Sequence, residues 1–315
     1  MLQLRAEFFA KTLLLLYNVI VYGRFMHSYL RSIGFKNINR EKLSEIFYLA
    51  SKNPTAYEMA MDSEGNEFSE IRYEIAPHAG IAIRGNFDED DNFRREYYFP
   101  YYEATLPTSN STVHIIKESD RECYQGVLED NNIAIDVIFH LQNMLQYLNI
   151  FEKRTTFAPA NVSLCGLSYN AKIIMPIYSD ESVKARRYKA KVLRDEWIAK
   201  AKEGDADAYE KLTMDDMDKY AMISKRIQNE DVLSIVSSTF MPSGIENDKY
   251  MIIGDIINIK TLVNLITKQN IYILTVDCSD LKMDICINED DLFGEPAIGR
   301  RFKGTVWMQG QVNNI

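Results

Sequence analysis

The segment YILTVDCSDLKMDICIN, residues 272–288, decides the fold. It reads as two strands joined by the two-residue loop Ser279-Asp280, which pairs Cys278 with Leu281, Val276 with Met283 and Leu274 with Ile285. Side chains alternate along a strand, so Tyr272, Leu274, Val276, Met283, Ile285 and Ile287 share one apolar face. The other face receives Thr275, Asp277, Lys282 and Asp284, with Ile273 and Cys286 as its apolar members. A slip of one residue would turn the apolar set outward, so the pattern fixes the register. Ser-Asp is not the preferred Asn-Gly pair, which leaves the turn type open.

Working outward, residues 302–312 form another strand. Phe302, Gly304, Val306, Met308, Gly310 and Val312 face one way, and Lys303, Thr305, Trp307, Gln309 and Gln311 the other. Inward glycines allow the bends and close approaches that small barrels need. Residues 251–265 are rich in Ile and Val, with Gly254 as a candidate bulge, and 267–270 make a turn. Four or five antiparallel strands without a long helix fit a small closed barrel of the oligonucleotide/oligosaccharide-binding (OB-like) kind. A small open sheet covered by the rest of the chain is the alternative.

The chain has 315 residues, 46% hydrophobic and 26% charged, as in an ordinary soluble globular protein. A net charge of −9 argues against coating nucleic acid or anionic membrane by bulk electrostatics, while leaving room for a local basic patch. The cysteines Cys123, Cys165, Cys278 and Cys286 form no CxxC pair and read as reduced, buried thiols. The histidines His27, His78, His114 and His140 show no zinc spacing, so no metal and no cofactor is expected. The acidic run 88–91 lacks the glycine and the terminal glutamate of a calcium loop and reads as a solvated turn. No phosphate-cradling glycine loop and no GxSxG elbow occurs.

Residues 1–25 hold an eleven-residue apolar run, too short to span a bilayer. They read as an upstream extension before a natural start at Met26, with a membrane anchor as the alternative. A short amphipathic helix ends near Gly34, and Asn39 caps a helix over 40–52 that stops at Asn53-Pro54. Segments 68–76, 79–86 and 94–106 read as an antiparallel sheet, with Pro100 at an edge or bulge. Residues 113–117 add a strand. Residues 133–148 begin as a strand-like apolar run and read as a buried helix, with entry from a short strand left open; a helix sets Asp136 and His140 on one face. Residues 161–177 read as two strands joined at 168–170. A charged helix over 182–203 carries Trp197 and the basic string Lys184, Arg186, Arg187, Lys189, Lys191 and Arg194, which reads as a solvated helix rather than a binding stripe. Gly204-Asp205 breaks it. Helices over 207–212 and 215–228 follow, the second capped by Thr213, then an apolar piece over 231–239 and a turn or linker at 241–244.

The resulting class is α+β. It comprises an N-terminal antiparallel-sheet domain with helices (26–177), a helical connector (178–244) and a C-terminal small β-barrel (245–315), after the extension 1–25.

At FMHSYLRSIGF (25–35), LTMDDMDKYAMISKRIQNEDVLSIV (212–236) and DLFGEPAIGRRFKGTVWMQG (291–310), the chain resembles a bacterial domain-of-unknown-function family of cytosolic proteins from anaerobic Gram-positive bacteria. The resemblance covers about residues 26–312. It implies a cytoplasmic protein starting at Met26, hence no membrane partner, and carries over no catalytic or binding residue.

The leading functional expectation is a non-enzymatic binding or scaffold module with an unknown protein partner. Arg300, Arg301, Lys303, Trp307 and Gln309 are its candidate ligand residues. Aromatic and basic groups on one barrel strand suit single-stranded nucleic acid, at about 1–3 kcal/mol per stacked base. In the opposing reading Trp307 is packing and the arginines pair with Glu295 or with Asp290 and Asp291. An enzyme with a site between the first domain and the barrel is the alternative, drawing on Asp136, His140 and the tyrosines of 97–102.

Overall fold

The computed structural model describes residues 26–88, 93–118, 121–130, 133, 135–150, 154–177, 181–227, 233, 236 and 238–313. The readings made on residues 1–25, on 89–91 and on most of 231–238 fall outside these. So do the side chains of Lys184, Arg186, Arg187 and Lys191.

A 3₁₀ turn, Ser28–Ile33, ends at Gly34, whose φ of 86° is left-handed and so favours glycine. The Asn39 side chain accepts from Lys42 N at 2.9 Å and starts α1 (Arg40–Lys52). The strands β1 (Ala56–Met61), β2 (Glu67–Ala76), β3 (Ala79–Phe87) and β4 (Phe93–Tyr102) then form a four-stranded antiparallel meander. Pro100 lies on β4, an edge strand, as a residue without an N–H should.

Next come β5 (Ser109–Lys117), β6 (Tyr124–Glu129), β7 (Val137–Leu141), α2 (Met144–Leu148), β8 (Thr156–Ser168) and β9 (Ala171–Ile174). Helices α3 (Glu181–Lys202) and α4 (Ala206–Ile227) form a hairpin. The last strands are β10 (Thr239–Pro242), β11 (Lys249–Val263), β12 (Asn270–Cys278), β13 (Leu281–Asn288), β14 (Leu292–Phe293) and β15 (Arg301–Val312). The β12–β13 register matches the alternation: Cys278 faces Leu281, Val276 faces Met283 and Leu274 faces Ile285.

Eight strands close a barrel in the circuit β11-β12-β13-β8-β5-β6-β7-β15, with β15 returning to β11. A direct β8–β15 ladder pinches this circuit into two that share those strands. Closure leaves the eight strands without free edges. The barrel expected from residues 245–315 alone thus takes β5, β6, β7 and β8 from ahead of the helical hairpin. Local periodicity marks strands but not their distant partners, and here β13 joins β8, and β15 joins β7, in parallel.

Two local expectations are corrected. The short strand left open as the entry to the 133–148 helix is β7, an interior strand of the barrel, so the helix shrinks to the five-residue α2 and Asp136 and His140 share no helical face. The two helices expected over 207–212 and 215–228 are a single one, α4, through Ile227. Asp205 caps it, accepting from Asp207 N at 2.9 Å, and Thr213 Oγ1 instead donates back to Tyr209 O. Strands β8 and β9 meet at 168–170 as expected, and they run in succession along β15.

Two cores result. One fills the barrel with Leu164, Ile252, Leu274, Val276, Met283, Ile285, Val306 and Met308. Gly310 lies within it, where an added Cβ would come within 2.8 Å of Leu164 and Phe139. The other lies between the four-stranded sheet, the N-terminal helices and the barrel's outer surface, and includes Leu30, Ile33, Ile46, Ile75, Ile81 and Phe99. Ile273 and Cys286, the apolar members of the hairpin's second face, belong to this second core.

Candidate functional site

The outward face of β15 is divided by what covers it. Trp307 and Gln309 lie beneath the four-stranded sheet, whereas Lys303 and Thr305, earlier on the same face, stay partly open. The same alternation therefore yields a packing residue at one end and a surface residue at the other.

Trp307 is 8% exposed, and its indole Nε1 donates to Asp248 Oδ2 at 2.7 Å. Its ring sits among His27 at 4.9 Å, His140 at 5.4 Å, Tyr29 at 5.6 Å and Phe99 at 6.4 Å between centroids. Burial pushes the Asp248 carboxyl up, against the pull of that indole N–H. Gln309 is buried, donating to Pro100 O at 2.9 Å and accepting from Gln142 at 2.7 Å. Arg301 is also buried, and its guanidinium donates to the carbonyls of Met175, Val236 and Leu233 at 2.8–2.9 Å. Arg300 donates to Glu295 O at 2.7 Å, a carbonyl rather than a carboxylate. Of the five expected residues, Lys303 lines a groove.

That groove encloses about 320 Å³ and is bounded by Asn170, Lys172, Met251, Phe293, Lys303 and Thr305. Its geometry follows from pairing. Strand β9 runs between β14 and β15, so Phe293 stands opposite Lys172 and Lys172 opposite Lys303. Thr305 lies opposite Met251 on β11. Cross-strand neighbours project from one face, which brings two ammonium groups beside a phenyl ring that is 80% exposed. Neither lysine has a carboxylate partner among the described residues. Lys172 and Phe293 were invisible to a local reading, because a four-residue strand and a two-residue strand carry no periodicity of their own.

The groups named for an enzyme do not assemble. Asp136 is exposed on the approach to β7, while His140 is buried with its Nδ1 3.5 Å from Cys123 Sγ. Burial pushes the Cys123 thiol up to about 12 and holds His140 well below the ordinary imidazole range, with Arg84 adding to the latter. A thiol held protonated is a weak nucleophile. Tyr97 donates to Glu122 O at 2.7 Å and accepts from Arg84 at 3.0 Å, so its hydroxyl is engaged inside the protein. Cys123, Cys165, Cys278 and Cys286 are all free and buried. Among the described residues no cluster of His, Cys, Asp and Glu could hold a metal, and no helix is long and apolar enough to cross a membrane.

Sheet, barrel and groove together define a mixed α+β protein in which a four-stranded sheet caps one side of a closed eight-stranded barrel. The chain belongs to DUF3881, a family described as a domain of unknown function from E. rectale, whose sequence profile matches residues 30–310. No curated protein and no solved structure matches the chain.

Proposed function

We propose that this is a non-enzymatic cytoplasmic binding module that takes a phosphate-bearing aromatic ligand of nucleotide size in the groove at Lys172 and Lys303. The observation that carries the reading is the lysine pair. Like charges directly opposite on a sheet cost about 0.2–1 kcal/mol, and among the described residues this pair has no carboxylate to offset the cost. A dianion between the two ammonium groups relieves that repulsion.

The neighbours supply the rest of such a ligand. Phe293 presents an exposed face on which a base can stack, and Thr305 and Asn170 offer a hydroxyl and an amide. A groove of about 320 Å³ suits one nucleotide unit, free or within a single strand. The net charge of −9 favours a local site over bulk attraction. Four buried free thiols agree with a reducing compartment.

The test is calorimetric titration of the full chain with adenosine monophosphate and, separately, with inorganic phosphate. Saturable binding that weakens with salt is expected for both. Lys303→Glu abolishes it, and Phe293→Ala weakens the nucleotide while sparing phosphate. Equal binding by wild type and Lys303→Glu overturns the reading.

A further inference from the structure

Helices α3 and α4 pack on each other, fastened by Arg194 to Asp215 at 2.5 Å and to Asp216 at 2.8 Å. Among the described residues, neither gives a side chain to the barrel core or to the core beneath the four-stranded sheet. Each helix has 22 residues, about 33 Å at 1.5 Å per residue. The hairpin is therefore a two-helix arm whose tip is the turn at Gly204.

This arm leaves large apolar side chains in solvent. Tyr209, Met217 and Tyr220 are exposed on α4, at separations of eight and three that place them on one face. On α3, Tyr188 and Val192 are exposed four residues apart. A stripe of this kind on an otherwise charged helix marks a contact surface.

Charge selects the occupant. In the half nearest the barrel, residues 181–191 and 217–227, basic residues outnumber acidic ones eight to two. In the tip half, residues 192–216, acidic residues outnumber basic ones eight to four. The arm is thus positive at its root and negative at its tip. A second arm laid alongside in the opposite direction sets tip against root at both ends, whereas a parallel arm sets like against like.

We propose that two copies of this chain associate through their arms, related by a two-fold axis, as an antiparallel four-helix bundle with Tyr209, Met217 and Tyr220 in its seam. A two-fold contact uses the same patch on both copies, as a self-complementary arm requires. Four helices packed in this way supply the interior that two alone cannot.

The experiment is analytical ultracentrifugation of the full chain over a range of concentrations and salt. A dimer that loosens as salt rises is expected, and a monomer at every concentration overturns the proposal. Met217→Glu with Tyr220→Glu should yield a monomer with unchanged far-UV circular dichroism. A dimer that persists in that variant overturns the seam. Orientation is read by disulfide trapping, with the four native cysteines buried and out of reach. A chain carrying both Glu203→Cys and Lys225→Cys should cross-link between copies from tip to root. Efficient tip-to-tip linkage by Glu203→Cys alone overturns the antiparallel arrangement. Anion binding at the groove is read separately, and its failure leaves this result untouched.

Discussion

Arg84 donates through Nε to Glu70 Oε2 at 2.5 Å, and both side chains are fully buried between the four-stranded sheet and the barrel. Glu70 also takes Arg72 Nε at 2.5 Å, and Arg72 reaches Glu103. Both arginines donate onward to the Gln142 carbonyl, at 2.9 and 3.0 Å. The two layers are therefore joined by a charged clamp as well as by apolar packing. Burial pushes the Glu70 carboxyl up, but Arg84 and Arg72 outweigh it and hold the group below the usual carboxylate range.

Removing Glu70 leaves the fully buried Arg84 guanidinium without a carboxylate among the described residues and takes from Arg72 one of its two. Breaking a buried ion pair from one side costs about 3–5 kcal/mol, so Glu70→Ala should lower the urea midpoint sharply. A change of less than about 1 kcal/mol would show that water enters the clamp. Because the folded carboxyl titrates lower than the unfolded one, its contribution is complete above about pH 4.5 and disappears as pH falls below that.

Trp307 is predicted to report burial. In a Trp197→Phe background its emission should be blue-shifted and weakly quenched by acrylamide, since the ring lies among His27, Tyr29, Phe99 and His140. Trp307→Phe keeps most of the apolar area but leaves Asp248 without its indole partner. A cost of about 1–3 kcal/mol is expected from an unsatisfied buried acceptor. A red-shifted, readily quenched Trp307 would restore the stacking role.

The two buried histidines make a separate acid-sensitive element. His27 is lowered to about 4, first by burial and then by Lys249 and Arg121, and His140 is lowered in the same sense. Both are neutral in the folded state near neutral pH, and among the described residues His27 Nδ1 and His140 Nε2 have no hydrogen-bond partner. The unfolded chain takes up protons near 6.5, so stability is complete above that pH and falls between about 6.5 and 4. Thermal unfolding from pH 7.5 to 4.5 should show a steady fall in Tm. A His140→Leu variant should flatten that dependence, and an unchanged slope would place the proton uptake elsewhere. This window opens above the one set by Glu70, so the fall above about pH 4.5 is not owed to Glu70.

What the sequence made legible was local. The 272–288 hairpin, the Asn39 cap, the break at Gly204 and the edge position of Pro100 each rest on a few adjacent residues, and each holds in the fold. What it concealed was pairing at a distance. Nothing near Lys303 says that Lys172, more than a hundred residues earlier, lies opposite it. Nothing near Trp307 says that β4 and the Ser28–Ile33 turn cover it, although the apolar Ile273 and Cys286 on the hairpin's second face hinted that something does. Lys303 and Trp307 were placed on one face by the same alternation, yet one is open and the other covered, because period two names a face without naming what lies against it.

The turn that opened the reading also offers a gain in stability. Ser279 and Asp280 have φ of 55° and 67°, so both central residues of the β12–β13 loop are left-handed, as in a type I′ turn. Neither is the glycine that such a dihedral favours, and a non-glycine residue there costs on the order of 1 kcal/mol. The Asp280 amide donates to Asp277 Oδ1 at 2.9 Å, a backbone bond that glycine retains. Asp280→Gly should therefore stabilise the protein by about 1 kcal/mol, and Ser279→Asn with it should add a little more. Chemical denaturation is the measurement. A loss of stability would mean that the Asp280 side chain contributes more than its backbone strain costs.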